Sequence, residues 1–109
     1  MLYSSGMSRL RRPFVSDRFF FVTVRLLKRR RELDGADFQC LALAIRRARA
    51  VHAFFLTGWV FLADHWHAIC APQCPLTISE VMKSIKNSST TLVNRGLAAS
   101  GELWQGRFS

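Results

Sequence analysis

His65 and His67 stand one residue apart in the run LADHWHA. In a β-strand the side-chain period of two sends both imidazoles out of the same face, roughly 6–7 Å apart along the chain. One metal ion can bridge that gap. Imidazole suits Zn, Mn, Co or Ni, and a pair leaves coordination positions for water, a carboxylate or a phosphate oxygen, as metal-assisted phosphoryl transfer requires. The same spacing is also what two polar residues on a solvent-facing strand give, so the pair takes its meaning from its surroundings. Trp66, between the histidines, is expected on the opposite face, anchoring the strand in the core. Cys40, Cys70 and Cys74 are an odd set without a C-x-x-C pair, which fits a reducing cytoplasm better than a disulfide-stapled secreted domain. A zinc site built from His65, His67, Cys70 and Cys74 is a lesser alternative, because a continuous strand turns Cys70 away from the histidines.

The elements that must position the pair can be read from periodicity. Residues 1–17 mix Ser, Gly, Pro and Arg without a period and read as a flexible basic arm, leaving 18–109 as one domain. Phe19 to Leu27 has the aromatic and β-branched composition of a strand, with Phe20, Val22, Val24 and Leu26 on the core face and Phe19, Phe21, Thr23 and Arg25 on the other. Asp34 can cap a helix whose stripe is Phe38, Leu41, Ala42, Ile45 and Ala48, with His52 at its end. LTGWVFLADHWHAICAP is two short apolar runs meeting at Ala63–Asp64, either two strands joined by a tight turn or one bent strand. Thr77 and Glu80 form a capping box for a second helix to about Asn94, with Ile78, Val81, Met82, Ile85, Leu92 and Val93 as its buried stripe. Gly96 and Gly101 punctuate its end, and LWQGRFS has the content of a last, edge strand. Strand, helix, strand, strand, helix, strand is the ferredoxin-like split pattern: an α+β fold in which two helices cover one face of an antiparallel sheet and leave the other face for a ligand.

Charge narrows the ligand class. The net charge is +9, and nine of the sixteen Lys and Arg residues lie in the first 31 positions, opposed there by Asp17 alone. That balance favours a polyanion, since each phosphate neutralised releases counterions, and nucleic acid leads the candidates. A membrane is disfavoured: the apolar runs are too short to span a bilayer, and Pro13, Ser16, Asp17 and Arg18 interrupt any secretion-signal core.

Taken in order, the segment MSRLRRPFVSDRFFFVTVRLL, the strand ending LADHWHA, the helix ISEVMKSIKNSSTTLVN and the final LWQGRF resemble the HUH single-strand DNA transposases, in particular the REP-associated tyrosine transposases. The likeness covers about residues 8–109. The family motif resembles M-P-(N/D)-H-V-H; here Ala63 stands where the family usually has Pro, and Trp66 takes the hydrophobic middle position. The resemblance implies that His65 and His67 bind a divalent ion, Mg or Mn, that polarises the scissile phosphate of single-stranded or hairpin DNA. It also implies a tyrosine nucleophile, on a helix beyond the L-W-Q strand that supplies a further metal ligand, forming a covalent 5′-phosphotyrosine link. That helix would lie beyond Ser109. Tyr3 is the only tyrosine present and falls outside the matched region, so these 109 residues are expected to bind DNA rather than to cleave it alone.

Candidate DNA contacts follow. Arg9, Arg11 and Arg12 suit phosphates, and in the family the N-terminal segment also helps read the repeat hairpin. Arg25 and Arg107 add charge near the sheet, and Lys83 and Lys86, three apart on the second helix, share a polar stripe with Thr90. Trp104 and Phe108 could stack on bases, although core packing suits Trp104 at least as well. The rival to a transposase domain is a non-catalytic basic nucleic-acid-binding module, which needs only the charge and the sheet.

Overall fold

A computed structural model describes residues 18–108, with side chains as far as Gly106. The chain runs β1 (Phe20–Leu26), α1 (Gly35–Val51), β2 (Phe54–Phe61), β3 (His65–Pro72), α2 (Ile78–Leu97) and β4 (Trp104–Phe108). The four strands form one sheet in the order β2-β3-β1-β4, with every neighbouring pair antiparallel. This is the expected α+β split arrangement. No helix among the described residues is long and apolar enough to cross a membrane.

Both helices start where their caps dictate. Asp34 accepts from the backbone N–H groups of Ala36 and Asp37 while the Asp37 carboxylate accepts from the Asp34 N–H, a closed capping box. Thr77 and Glu80 make the same reciprocal pair ahead of α2. The ends differ from the sequence reading. His52 has extended backbone and caps α1 rather than continuing its stripe. α2 runs through Gly96 to Leu97 and ends at Ala98, which adopts a left-handed φ of 54°. The helix continues past the glycine, and an alanine takes the conformation that glycine usually supplies.

The core lies between the helices and one sheet face. Val22, Val24 and Leu26 from β1 and Trp66, Ala68 and Cys70 from β3 meet Leu41, Ile45 and Ala48 of α1 and Val81, Met82, Ile85 and Val93 of α2. Two strands joined by a turn, rather than one bent strand, lead to His65. The turn is held from outside: the Leu26 N–H donates to the Asp64 carbonyl (2.8 Å) and the Leu33 N–H to that of Ala63 (2.8 Å). Ala63, where the family usually has a proline, is thus fixed by a hydrogen bond to its carbonyl, which does not depend on the side chain.

A bulge in β2 has a larger effect. Leu56 pairs with Cys70, but Gly58 rather than Thr57 faces Ile69, so the register shifts by one residue. Beyond the shift, Phe61 pairs with Trp66 on the helix side and packs against Phe38 (6.0 Å between centroids), while Val60 pairs with His67 on the open side.

Candidate metal and nucleic-acid site

The open face carries a short ladder. Alternation along β1 presents Phe21, Thr23 and Arg25 there, and the register sets them opposite Ile69, His67 and His65 of β3. The two imidazole centroids lie 4.8 Å apart, nearly perpendicular, closer than the backbone repeat because the rings lean together. Trp66, between them in sequence, is fully buried on the other face.

Each histidine has one ring nitrogen already engaged. His65 Nδ1 lies 2.7 Å from Asp64 Oδ1, and a carboxylate only accepts, so Nδ1 carries the proton and Nε2 holds the free lone pair. His67 Nδ1 lies 2.9 Å from the Thr23 hydroxyl, and with that hydroxyl accepting, Nε2 is again the nitrogen left over. Such partners on the remote nitrogen are how metal-ligating histidines are oriented. The hydrogen bond from His65 is the main cause holding the Asp64 carboxyl below the usual carboxylate range. Burial, then the neighbouring His65 and Arg25, hold His67 below the ordinary imidazole value. The neutral ring, which is the ligand form, therefore persists to lower pH. Two adjacent imidazoles with free Nε2 atoms suit a divalent ion. Among the described residues no group of three or more His, Cys, Asp or Glu side chains could hold one, so the pair supplies two positions and leaves the rest open.

The other expected residues scatter. Arg25 is exposed at the His65 end of the ladder. Lys83 is exposed on α2 and lines a cleft of about 1070 Å³ with His52, Gln73, Cys74 and Glu80, beyond the opposite end of β3. Lys86 corrects the reading of a free backbone grip: its ammonium donates to the carbonyls of Gln105 (2.9 Å) and Gly106 (3.3 Å), tying α2 to β4, and burial lowers its pKa. Trp104 corrects the stacking reading, since it is 3 % exposed, meets Trp66 edge-on at 6.2 Å and donates its indole N–H to the buried Ser89 hydroxyl (2.9 Å). An aromatic at the start of an edge strand is drawn inward where the helix offers both apolar surface and an acceptor. Cys70 lies on the helix side with its thiol pushed by burial up to about 12, and Cys74 is exposed beyond the end of β3, so neither adjoins the histidines. Arg9, Arg11, Arg12 and Tyr3 lie outside the described residues, as do the side chains of Arg107 and Phe108.

Thr23 and Asp64 are the site residues that motif reading passed over. Asp64 stands at the (N/D) position of the histidine motif and could have been singled out on that ground. Thr23 could be assigned to the open face by alternation, but its pairing with His67, 44 positions away, is a matter of register.

Similarity to known proteins agrees with this fold. A structure of the REP-associated tyrosine transposase bound to a REP hairpin superposes with a TM-score of 0.71 at 28% identity, covering 91% of this chain and 58% of that one. This chain therefore spans little more than half of that relative's length. A candidate transposase from Deinococcus radiodurans R1 superposes with the same TM-score at 15% identity, covering 100% of this chain and 83% of that one, and so shares the fold. No curated protein matches the sequence. The family model described as "Transposase IS200 like" matches residues 18–109, and the chain belongs to the IS200-like transposase family.

Proposed function

We propose that this domain binds single-stranded or hairpin DNA and presents a scissile phosphate to the His65–His67 pair for metal-dependent cleavage and joining by a tyrosine. The observation that carries the reading is the pair itself: two adjacent imidazoles on an uncovered sheet face, each with Nδ1 engaged and Nε2 free. A Mg or Mn ion held there would polarise a phosphate oxygen and stabilise charge developing at phosphorus. His65 and His67 would hold the ion, with Thr23 and Asp64 orienting them and Arg25 placed to take phosphate charge. The REP hairpin bound by the structural relative makes a hairpin the first DNA to try.

A tyrosine must lie in line with the phosphate at near-contact distance to attack it. Tyr3 is the only one in these 109 residues, and it lies outside the matched residues 18–109. The expected outcome with Mn²⁺ and a labelled REP-type hairpin is binding without a covalent adduct on a denaturing gel. A longer version carrying a tyrosine-bearing helix should give the adduct. His65→Ala combined with His67→Ala should abolish Mn²⁺ binding in a calorimetric titration. Undiminished Mn²⁺ binding by that double variant, or a Tyr3-dependent adduct from the 109 residues, would overturn the assignment. Binding of DNA with no metal dependence in any version would favour the non-catalytic module that the basic charge alone supports.

A further inference from the structure

Phe21, the second residue of β1, is 59 % exposed although it is aromatic. Its ring lies 5.2 Å from the His67 ring, centroid to centroid, and within 19° of parallel. Val60, 37 % exposed, stands opposite His67 on the β2 side. The pair is thus flanked on β1 by a flat aromatic surface open to solvent. Two positions further on from Phe21 comes Thr23, and two beyond that the exposed Arg25 opposite His65. We propose that Phe21 is a stacking platform for the nucleobase adjoining the phosphate at the His65–His67 pair, with Arg25 taking a neighbouring phosphate of the same strand. This rests on the DNA reading above.

The occupant follows from what lies along the ladder. A purely apolar partner would cover Phe21 but leave the imidazoles and the Arg25 guanidinium against a surface with nothing to offer them. A single nucleic-acid strand presents π faces and phosphates in alternation. Successive rungs of one sheet face are about 7 Å apart, the scale on which an extended strand presents successive nucleotides. Stacking is tolerant of base identity because every base has a π face. Phe21 therefore sets the position of the strand rather than its sequence, and a base held against it fixes which phosphate reaches the histidines. Duplex DNA keeps its bases stacked inside and cannot use such a platform, so the ladder selects for unpaired nucleotides.

The test is fluorescence anisotropy with the 109-residue chain, Mn²⁺ and a set of single-stranded oligonucleotides in which one abasic site is moved along the sequence. Phe21→Ala should weaken binding of the intact strand by roughly tenfold, the scale of one missing base–aromatic stack. At one abasic position wild type should weaken by the same factor, and there Phe21→Ala should have no further effect. Phe21→Trp should restore affinity, whereas Phe21→Leu, which keeps apolar surface without a π face, should not. A cooperative melt for each variant excludes unfolding, as an exposed side chain leads one to expect. Equal affinity of Phe21→Ala and wild type for the intact strand overturns the platform and leaves the DNA reading standing. So does rescue by Phe21→Leu, or a loss that persists at every abasic position; with the latter, a lowered melting temperature would point to a protein segment packing on Phe21. Absence of DNA binding by the wild-type chain defeats the DNA reading and this one with it.

Discussion

At the scale of residues, the proposed metal centre would depend on two side chains that are not themselves ligands. Asp64 sets the tautomer of His65 by accepting from Nδ1, and Thr23 engages Nδ1 of His67 from the adjacent strand. If both act by aiming Nε2 outward, Thr23→Val, nearly isosteric but without the hydroxyl, should weaken Mn²⁺ binding by about 10- to 100-fold, the usual consequence of removing an outer-shell partner. The fold should survive, since Thr23 contributes no backbone hydrogen bond through its side chain. A calorimetric titration of Mn²⁺ into wild type and variant checks this, and equal affinities would show that the Thr23 hydroxyl does not orient the ring. The Asp64 carboxylate should matter in the same direction, and Asp64→Asn should retain part of the effect because an amide oxygen can still accept.

At the scale of elements, α2 is joined to β4 by polar contacts as well as by packing. The Trp104 indole donates to Ser89, whose hydroxyl in turn donates to the Ile85 carbonyl (2.7 Å), and Lys86 reaches the Gln105 and Gly106 carbonyls from the same helix. Ser89 is fully buried, so its alanine variant would leave the Trp104 N–H without its partner in a place water does not reach. The expected cost is about 1–3 kcal/mol, read as a lower urea midpoint with unchanged slope. A variant as stable as wild type would mean that Trp104 finds another acceptor or that the helix relaxes. A second cluster closes the other end of α2: Arg30 donates to the Asn94 side chain (2.6 Å) and the Glu102 carbonyl (3.0 Å), and Asn94 donates to the Gly101 carbonyl (2.8 Å). Both ends of the segment leading to β4 are therefore tied to structure that precedes it in the chain.

At the scale of the whole molecule, the basic charge divides into two populations. Arg29, Arg30 and Arg31 look like part of one electrostatic footprint in sequence, yet each donates to the chain's own carbonyls or carboxylates. The proposed DNA contacts of Arg9, Arg11 and Arg12 should then dominate salt sensitivity. Replacing all three by Ala should lower the slope of log affinity against log salt for a single strand by about 2, at roughly 0.7 for each phosphate no longer neutralised. An unchanged slope in an anisotropy titration would assign the phosphate-binding role to other residues. Hydrophobic periodicity, the two capping boxes and the H-x-H spacing are local properties, and by themselves they determined the order of elements, the two faces of β1 and of β3, the burial of Trp66 and the common face of His65 and His67. What they cannot carry is pairing between distant segments. The bulge at Thr57 turns Val60 toward His67 and Phe61 toward the core, and the β1–β3 register brings Thr23 and Phe21 against His67. Lys86 and Trp104 were legible as a cation and an aromatic, but only the packing of α2 against β4 decided that both face inward. Such choices depend on which strand neighbours which and by how many residues it is shifted, and those are free energies of the assembled sheet and helices rather than of any stretch of sequence.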